Sequence, residues 1–542
     1  MTARPILLLF TALLLVSALR AELRLPAIIG DRMVLQQQQA NPIWGWDRPG
    51  APVTVTFAGE TLATTADAAG KWRVSLPARP ASDQPRTLTV AGTSTVVVQD
   101  VLVGEVWLCS GQSNMQFTLG ESYDGDLEAA AARLPAVRLI TVPQVASQEP
   151  RDDFQGRWVE AAPATAGRFS AVGFLFGRAL HEILGVPVGL IDVTWGGSKA
   201  EAWVRRTSLE QDPRFRPLLD EAVAMEARLA TPEAEAKLAA DLKAWEAARD
   251  AARAAGAAAP PRPQDWLRGQ HRPGNLFAGM LHPTVGYGLK GVIWYQGEGN
   301  AGRPEEYAEL FPFLIEQWRR EWGQGDFPFY WVQLADYKAE TDDPGADSGW
   351  ARLREAQTRT LRLPNTGQAV AIDVGEGRDI HPRDKHRVAA RLVRWALAKD
   401  YGRPLPHRSP EFRSLEITGD RALVTFDCFG GQLYAFDEPT VRGFAVCGAD
   451  RVWHWATGRI VGRDRVEVRS DAVSAPIAVR YAFADNPRTN LYSRAGLPAT
   501  PFRTDDFAFV PPTPTPPTNP PAPVATAADA KVGDSARQAT SR

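Results

Sequence analysis

The sequence predicts an α/β protein: a doubly wound core with a parallel sheet, flanked by N- and C-terminal β-domains and carrying a helical insertion. Three observations predict it. Between residues 101 and 405, short apolar runs (VLVGEVWLC, VGLIDVTW, GVIWYQ, FYWVQLA, QAVAIDV) alternate with helix-like segments such as SAVGFLFGRALHEIL and HRVAARLVRWALA. Continuous apolar runs of that length fit parallel strands covered on both faces by helices. On either side, alternating runs such as VTVTF, RTLTV, RALVTF and RVEVRS are broken by Gly, Pro and Asp turns, the pattern of antiparallel β structure. Residues 206–273 are dominated by Ala, Glu, Arg and Leu and end in AAAPPRP, which reads as amphipathic helices with a Pro-rich exit.

Taken in order, residues 1–21 place Arg4 ahead of an apolar run and small residues near Ala18 and Ala21. That is the layout of a secretory signal peptide, too short for a confident span, so the mature chain is expected to start near Glu22 in the periplasm or outside the cell. Residues 22–100 form the N-terminal β-domain, 101–405 the core with its insertion at 206–273, and 406–510 the C-terminal β-domain. Whether the two β-domains share one sandwich is open at this level. The tail, residues 511–542, is rich in Pro and Ala, cannot bury a core and is expected to be disordered.

Composition excludes several functions. With 61 Lys and Arg against 63 Asp and Glu, there is no electrostatic footprint for nucleic acid or an anionic membrane. No apolar segment beyond residue 21 approaches spanning length, so no membrane partner is expected of the mature form; oligomeric state is not legible. No CxxC, HExxH or Gly-rich GKS/GKT loop occurs, so neither a metal nor a cofactor is expected. Of the three cysteines, Cys428 and Cys447 could pair and Cys109 would remain free; three buried thiols is the equal alternative.

The segment VWLCSGQSNMQ ends an apolar run in small polar residues, with Ser113 between Gln112 and Asn114. A serine nucleophile needs a base, a group orienting that base and donors for the oxyanion. Ser113 lies deeper in the turn than Ser110, and its own N–H could donate. In GRDIHPRDKHR, His381 follows Asp379 by two residues after the run QAVAIDV, a spacing that lets a carboxylate hold one imidazole tautomer. LIDVTWGGSKAEAW puts Gly196 and Gly197 at another strand end, and GVIWYQGEGNA puts Gln296, Gly297, Glu298 and Asn300 at one more; in chain order these are the second and third blocks, between that of Ser113 and that of His381. Each block alone reads as turn or structure; four together, all at strand ends, point to one constellation.

Those blocks resemble the SGNH (GDSL-like) hydrolases, and more closely their sialate O-acetylesterase-like carbohydrate esterases. LPAIIGDRMVLQQ near the mature N-terminus and YAFADNPRTNLYSRAGLPATPFRTDDF near the C-terminus extend the resemblance over nearly all of residues 22–510. It implies an SGNH-type three-layer core and a Ser-His-Asp acyl-enzyme mechanism releasing acetate from O-acetylated sugars. Ser113 would be the nucleophile, His381 the base and Asp379 its orienting acid. Ser113 N–H, Gly197 N–H and the Gln296 amide would form the oxyanion hole, with Gln112, Asn114, Gly196, Glu298 and Asn300 as neighbours and Asn300 the alternative donor. Two departures stand out: Gly299 replaces the family's usual serine, and Asp379 precedes His381 by two residues rather than three, leaving Asp373 and Glu376 as other candidates to orient it.

The implied substrate is an O-acetylated glycan or oligosaccharide, either sialic acid or a plant cell-wall polysaccharide such as xylan or xyloglucan. A sialate carboxylate would call for an arginine, with Arg205, Arg378 and Arg383 close to the blocks. The rival readings are a non-catalytic carbohydrate-binding protein with a decayed hydrolase core, and a serine peptidase or lipase. The complete Ser113, His381 and Asp379 set argues against the first; the absence of G-x-S-x-G argues against the second.

Overall fold

The computed structural model describes residues 22–508. The expected signal peptide and the whole of the Pro-rich tail, residues 511–542, lie outside them. Among the described residues no helix is long and apolar enough to cross a membrane.

The architecture hangs on one strand. Thr95–Gly111, 17 residues long, pairs antiparallel with Ser82–Ala91 through its first half. Its second half, buried from Val101 through Gly111, lies between the parallel strands Val188–Thr194 and Gly291–Tyr295. The central order runs Thr366–Ala369, Phe329–Val332, Gly291–Tyr295, Thr95–Gly111, Val188–Thr194, Leu134–Thr141, Val159–Ala161. All neighbours are parallel except the last pair. The chain visits one side of Thr95–Gly111 and then the other, and the crevice at such a reversal, outside the strands' carboxyl ends, is where open α/β sheets hold ligands.

Helices cover this sheet. Ala171–Leu184 and Lys385–Lys399 pack their apolar residues against one face, in a core with Trp107, Leu139, Leu190 and Tyr330. Pro304–Trp322 and Gly349–Arg359 enter the other core, where Trp294, Trp318 and Trp331 are fully buried. The expected insertion comprises Arg206–Glu210, Arg216–Leu229 and Pro232–Ala254. Arg216–Leu229 buries Leu218, Leu219 and Ala222, whereas Pro232–Ala254 buries no residue at all.

The C-terminal strands form a separate seven-stranded sheet from Glu411–Thr418 to Phe502–Arg503. Every neighbouring pair in it is antiparallel. The two β regions therefore do not share a sandwich. The C-terminal core instead includes Val370 and Ile372, which follow the edge strand Thr366–Ala369. Cys109, Cys428 and Cys447 are free thiols; Cys428 and Cys447 form no bridge, and burial pushes both up to about 11.

Candidate active site

Three strand ends lie side by side at the reversal, and the loop that follows the edge strand Thr366–Ala369 brings the fourth block to them. Thr95–Gly111 leads through Gln112 into the short helix Ser113–Gln116. Gly111 permits the turn: its φ is +139°, and a Cβ there would collide with the Tyr295 backbone. Gln112 N–H donates to the Tyr295 carbonyl at 2.9 Å, which binds the first block to the third. The Ser113 and Asn114 N–H groups open the helix, so neither has an i−4 partner. Ser110 is turned away, its hydroxyl donating to the Val193 carbonyl at 2.7 Å.

Side chains of the first block then fix the others. Gln112 Oε1 accepts from the N–H groups of Gly297 and Gly299 at 3.3 and 3.1 Å. Gln116 Oε1 accepts from Gly196 N–H at 2.7 Å, and a Cβ on Gly196 would sit 3.4 Å from that of Ser113. Gly197, exposed and at φ +69°, has an N–H that no acceptor takes among the described residues. A serine has no room at position 299, where a Cβ would lie 2.8 Å from the Ser198 carbonyl.

Gln296 is fully buried and its Nε2 donates to the Ser198 carbonyl at 3.2 Å and to Asn300 Oδ1 at 2.7 Å, while its Oε1 has no partner. Asn300 is equally engaged: Oδ1 also accepts from Ala200 N–H and Nδ2 donates to Glu201. Both amides thus knit blocks two and three together.

The fourth block reaches the first through Asn114, whose Nδ2 donates to the Ile380 carbonyl at 3.0 Å. The His381 ring lies nearly parallel to Phe117, centroids 6.4 Å apart. His381 Nδ1 is 3.5 Å from Asp379 Oδ1, which also accepts His381 N–H at 2.9 Å. The other carboxylates are committed elsewhere. Asp373 takes both arms of Arg391 at 2.6 and 2.7 Å, and Glu376 takes those of Arg383 at 3.0 and 2.7 Å. Of the three acids, Asp379 is the one in contact with the imidazole.

Below the site lies a network the sequence did not reveal. Asn114 Nδ2 also donates to Glu298 Oε1 at 2.6 Å, and its Oδ1 accepts from Lys385 Nζ at 2.6 Å. Lys385 is fully buried beside the rings of Phe117 and Tyr295. Burial pushes its ammonium down to about 7 and pushes the Glu298 carboxyl up. His381 is lowered, first by burial and also by the Lys385 charge, against the pull of Asp379. Within D-K-H-R a lysine looks like a surface residue, so no pattern flags Lys385. Gln116 had a signal: three residues after Ser113, it shares that helix face.

Among the described residues no group of His, Cys, Asp and Glu is arranged to hold a metal ion. The arrangement offers a serine at a helix N-terminus, an imidazole oriented by a carboxylate, and backbone N–H groups beside the serine.

Comparison with known proteins adds four findings. Residues 257–393, which contain the third and fourth blocks, match a family described as carbohydrate esterase, sialic acid-specific acetylesterase. The chain is 33% identical to sialate O-acetylesterase of Mus musculus, over 88% of its length and 94% of that protein. The Homo sapiens enzyme is 30% identical over 88% of the chain and 92% of its own length. Among solved structures, a carbohydrate acetylesterase from Xanthomonas citri superposes with a TM-score of 0.76 at 39% identity, covering 90% of this chain and all of that one.

Proposed function

Because the chain belongs to the sialate O-acetylesterase family of carbohydrate esterases, we propose that its carbohydrate O-acetylesterase activity runs through Ser113, His381 and Asp379 on an SGNH-type core. The observation that carries this reading is the Asn114 bond to the Ile380 carbonyl, which ties the Ser113 turn to the His381 loop.

With Nδ1 turned to Asp379, His381 has Nε2 left for the serine. It takes the Ser113 proton as Oγ bonds to the acetyl carbonyl carbon, and the oxyanion forms opposite the Ser113 and Gly197 N–H groups. Gln296 joins them by exchanging its longer bond, that to Ser198, for the oxyanion. The carbon–oxygen bond to the sugar then breaks, and the sugar oxygen leaves with the proton from His381. Water repeats the sequence on the acetyl-enzyme and releases acetate.

Within O-acetylated glycans, the arginines favour an acidic sugar such as sialate. Arg205 is held by both oxygens of Glu321, and Arg383 by Glu376, whereas Arg378, beside Asp379, is exposed and makes no ion pair among the described residues. Acetylated xylan or xyloglucan is the substrate class the same centre would serve without that arginine. The test is acetate release by wild type and Ser113→Ala from acetylated sialosides, xylan and xyloglucan, with an aryl acetate as reference. Activity that survives Ser113→Ala removes the serine mechanism; an Arg378→Ala variant that raises KM for sialosides and not for xylan supports the acidic substrate. Export follows from residues 1–21, and a mature N-terminus near Glu22 is the expected result of N-terminal sequencing.

A further inference from the structure

A second cleft, of about 380 Å³, lies beside the antiparallel pair Asn41–Trp46 and Lys71–Leu76 and the residues around His282. His282 and Val285 precede the strand Gly291–Tyr295, which delivers Gln296 at its far end. The cleft therefore sits toward the amino ends of the parallel strands, away from Ser113.

Its wall is built by strand alternation. Asn41, Ile43 and Gly45 face inward, and Trp44 and Trp46 face outward, half-buried. Directly across the pair, Arg73 stands opposite Trp44 and Lys71 opposite Trp46. Two indoles on an outward strand face are costly to leave wet unless something covers them. Trp46 already carries the Arg24 guanidinium 3.6 Å from its ring; Trp44 has no such cover among the described residues. Trp72, opposite Gly45, turns its indole inward and is 3% exposed, so it backs the strand pair from the other face.

The charges are unequal in availability. One oxygen of Asp67 accepts from the N–H groups of Ala69 and Lys71, and Asp152 holds Lys71 Nζ at 2.8 Å. Arg73 is exposed and makes no ion pair among the described residues. Aromatic walls with a few convergent polar groups are the usual make-up of a small-molecule site, and an unspent guanidinium suits a carboxylate.

We propose that this cleft is an accessory glycan-binding site for a pyranose bearing a carboxylate, its ring against Trp44 and its carboxylate on Arg73. Sialic acid and hexuronic acids share that chemistry. The inference takes its ligand class from the carbohydrate-esterase reading and nothing from the roles of Ser113 or His381.

The test titrates full-length Ser113→Ala protein with the methyl glycosides of N-acetylneuraminic acid, glucuronic acid and glucose, none of them acetyl esters, followed by saturation-transfer NMR and calorimetry. At least one acidic glycoside is expected to bind, more tightly than the glucoside. Adding Trp44→Ala or Arg73→Gln is expected to weaken it by roughly tenfold or more, and the tighter acidic ligand names the sugar. With Ser113 intact, both substitutions should leave aryl acetate turnover unchanged, which shows the fold is kept. Absence of acidic binding, binding that both variants leave unweakened once Arg378→Ala has removed the arginine of the catalytic centre, or glucoside binding of equal strength each overturns the proposal. Failure of the serine mechanism would appear separately, as Ser113→Ala turnover.

Discussion

On the proposed mechanism His381 is neutral when Ser113 attacks and charged when the sugar oxygen leaves, so its pKa would set the acid limb of the pH profile. Burial and the Lys385 charge both lower it, so kcat/KM is expected to begin its fall below the ordinary histidine value of about 6.5. Lys385→Met removes one of those causes. The imidazolium becomes easier to form, and the acid limb should move to higher pH; a limb that stays put or moves down would count against the coupling. Ser113→Ala and His381→Ala are each expected to cost ~10⁴-fold or more in kcat. Asp379→Ala should cost less. Its side chain is 59% exposed and 3.5 Å from the ring, so water can take over part of its role, unlike the buried acids of other triads. Steady-state kinetics on an aryl acetate ranks the three, and a loss for Asp379→Ala equal to that for His381→Ala would contradict this order.

At the scale of elements, strand ends were the legible part of the sequence. Ser113, Gly197, Gln296 and His381 each follow an apolar run, and parallel strands deliver such residues to one edge. The expected change of grammar at residues 100 and 101 has a different physical basis. The boundary expected between residues 100 and 101 falls inside the continuous strand Thr95–Gly111. Asp100 is held at φ +58° while both its oxygens take the nearly buried Arg138 guanidinium, at 2.7 and 3.0 Å. A contact 38 residues away in sequence leaves no local signal. Gly111→Ala tests the turn that follows: with no space for a Cβ and φ at +139°, the variant is expected to lose more than about 2 kcal/mol in denaturant unfolding, and most of its activity. Helix Pro232–Ala254 buries nothing, so it depends on propensity and surface pairs. Its amides should exchange hydrogen well ahead of those in Ala171–Leu184, which buries eight residues; equal protection would mean that something covers it.

Across the whole molecule, the C-terminal β region was legible as strands but not as support for the site. Period-two patterning marks a half-buried face without naming its partner. Its core takes in Val370 and Ile372, just ahead of the loop that carries Asp379 and His381. Arg354 completes the join. It is fully buried, and its guanidinium donates to the carbonyls of Leu334 and Ala335 on the sheet side and of Ala484 and Asp485 on the C-terminal side, at 2.7 to 3.0 Å. Burial lowers it to about 10, so it stays charged at neutral pH. Asp336, whose charge it faces, accepts Gly375 N–H at 2.6 Å, and Gly375 lies four residues before Asp379. Arg354→Met would leave those carbonyls without their donor, at a cost of about 3 kcal/mol or more. Such a join makes the C-terminal strands part of one cooperative unit with the catalytic sheet. Calorimetry of the wild type is therefore expected to give a single transition, lowered by several degrees in Arg354→Met. Esterase activity should be lost across that same transition. Two resolved transitions, with activity surviving the first, would mean that the β region melts alone and that the His381 loop stands without it.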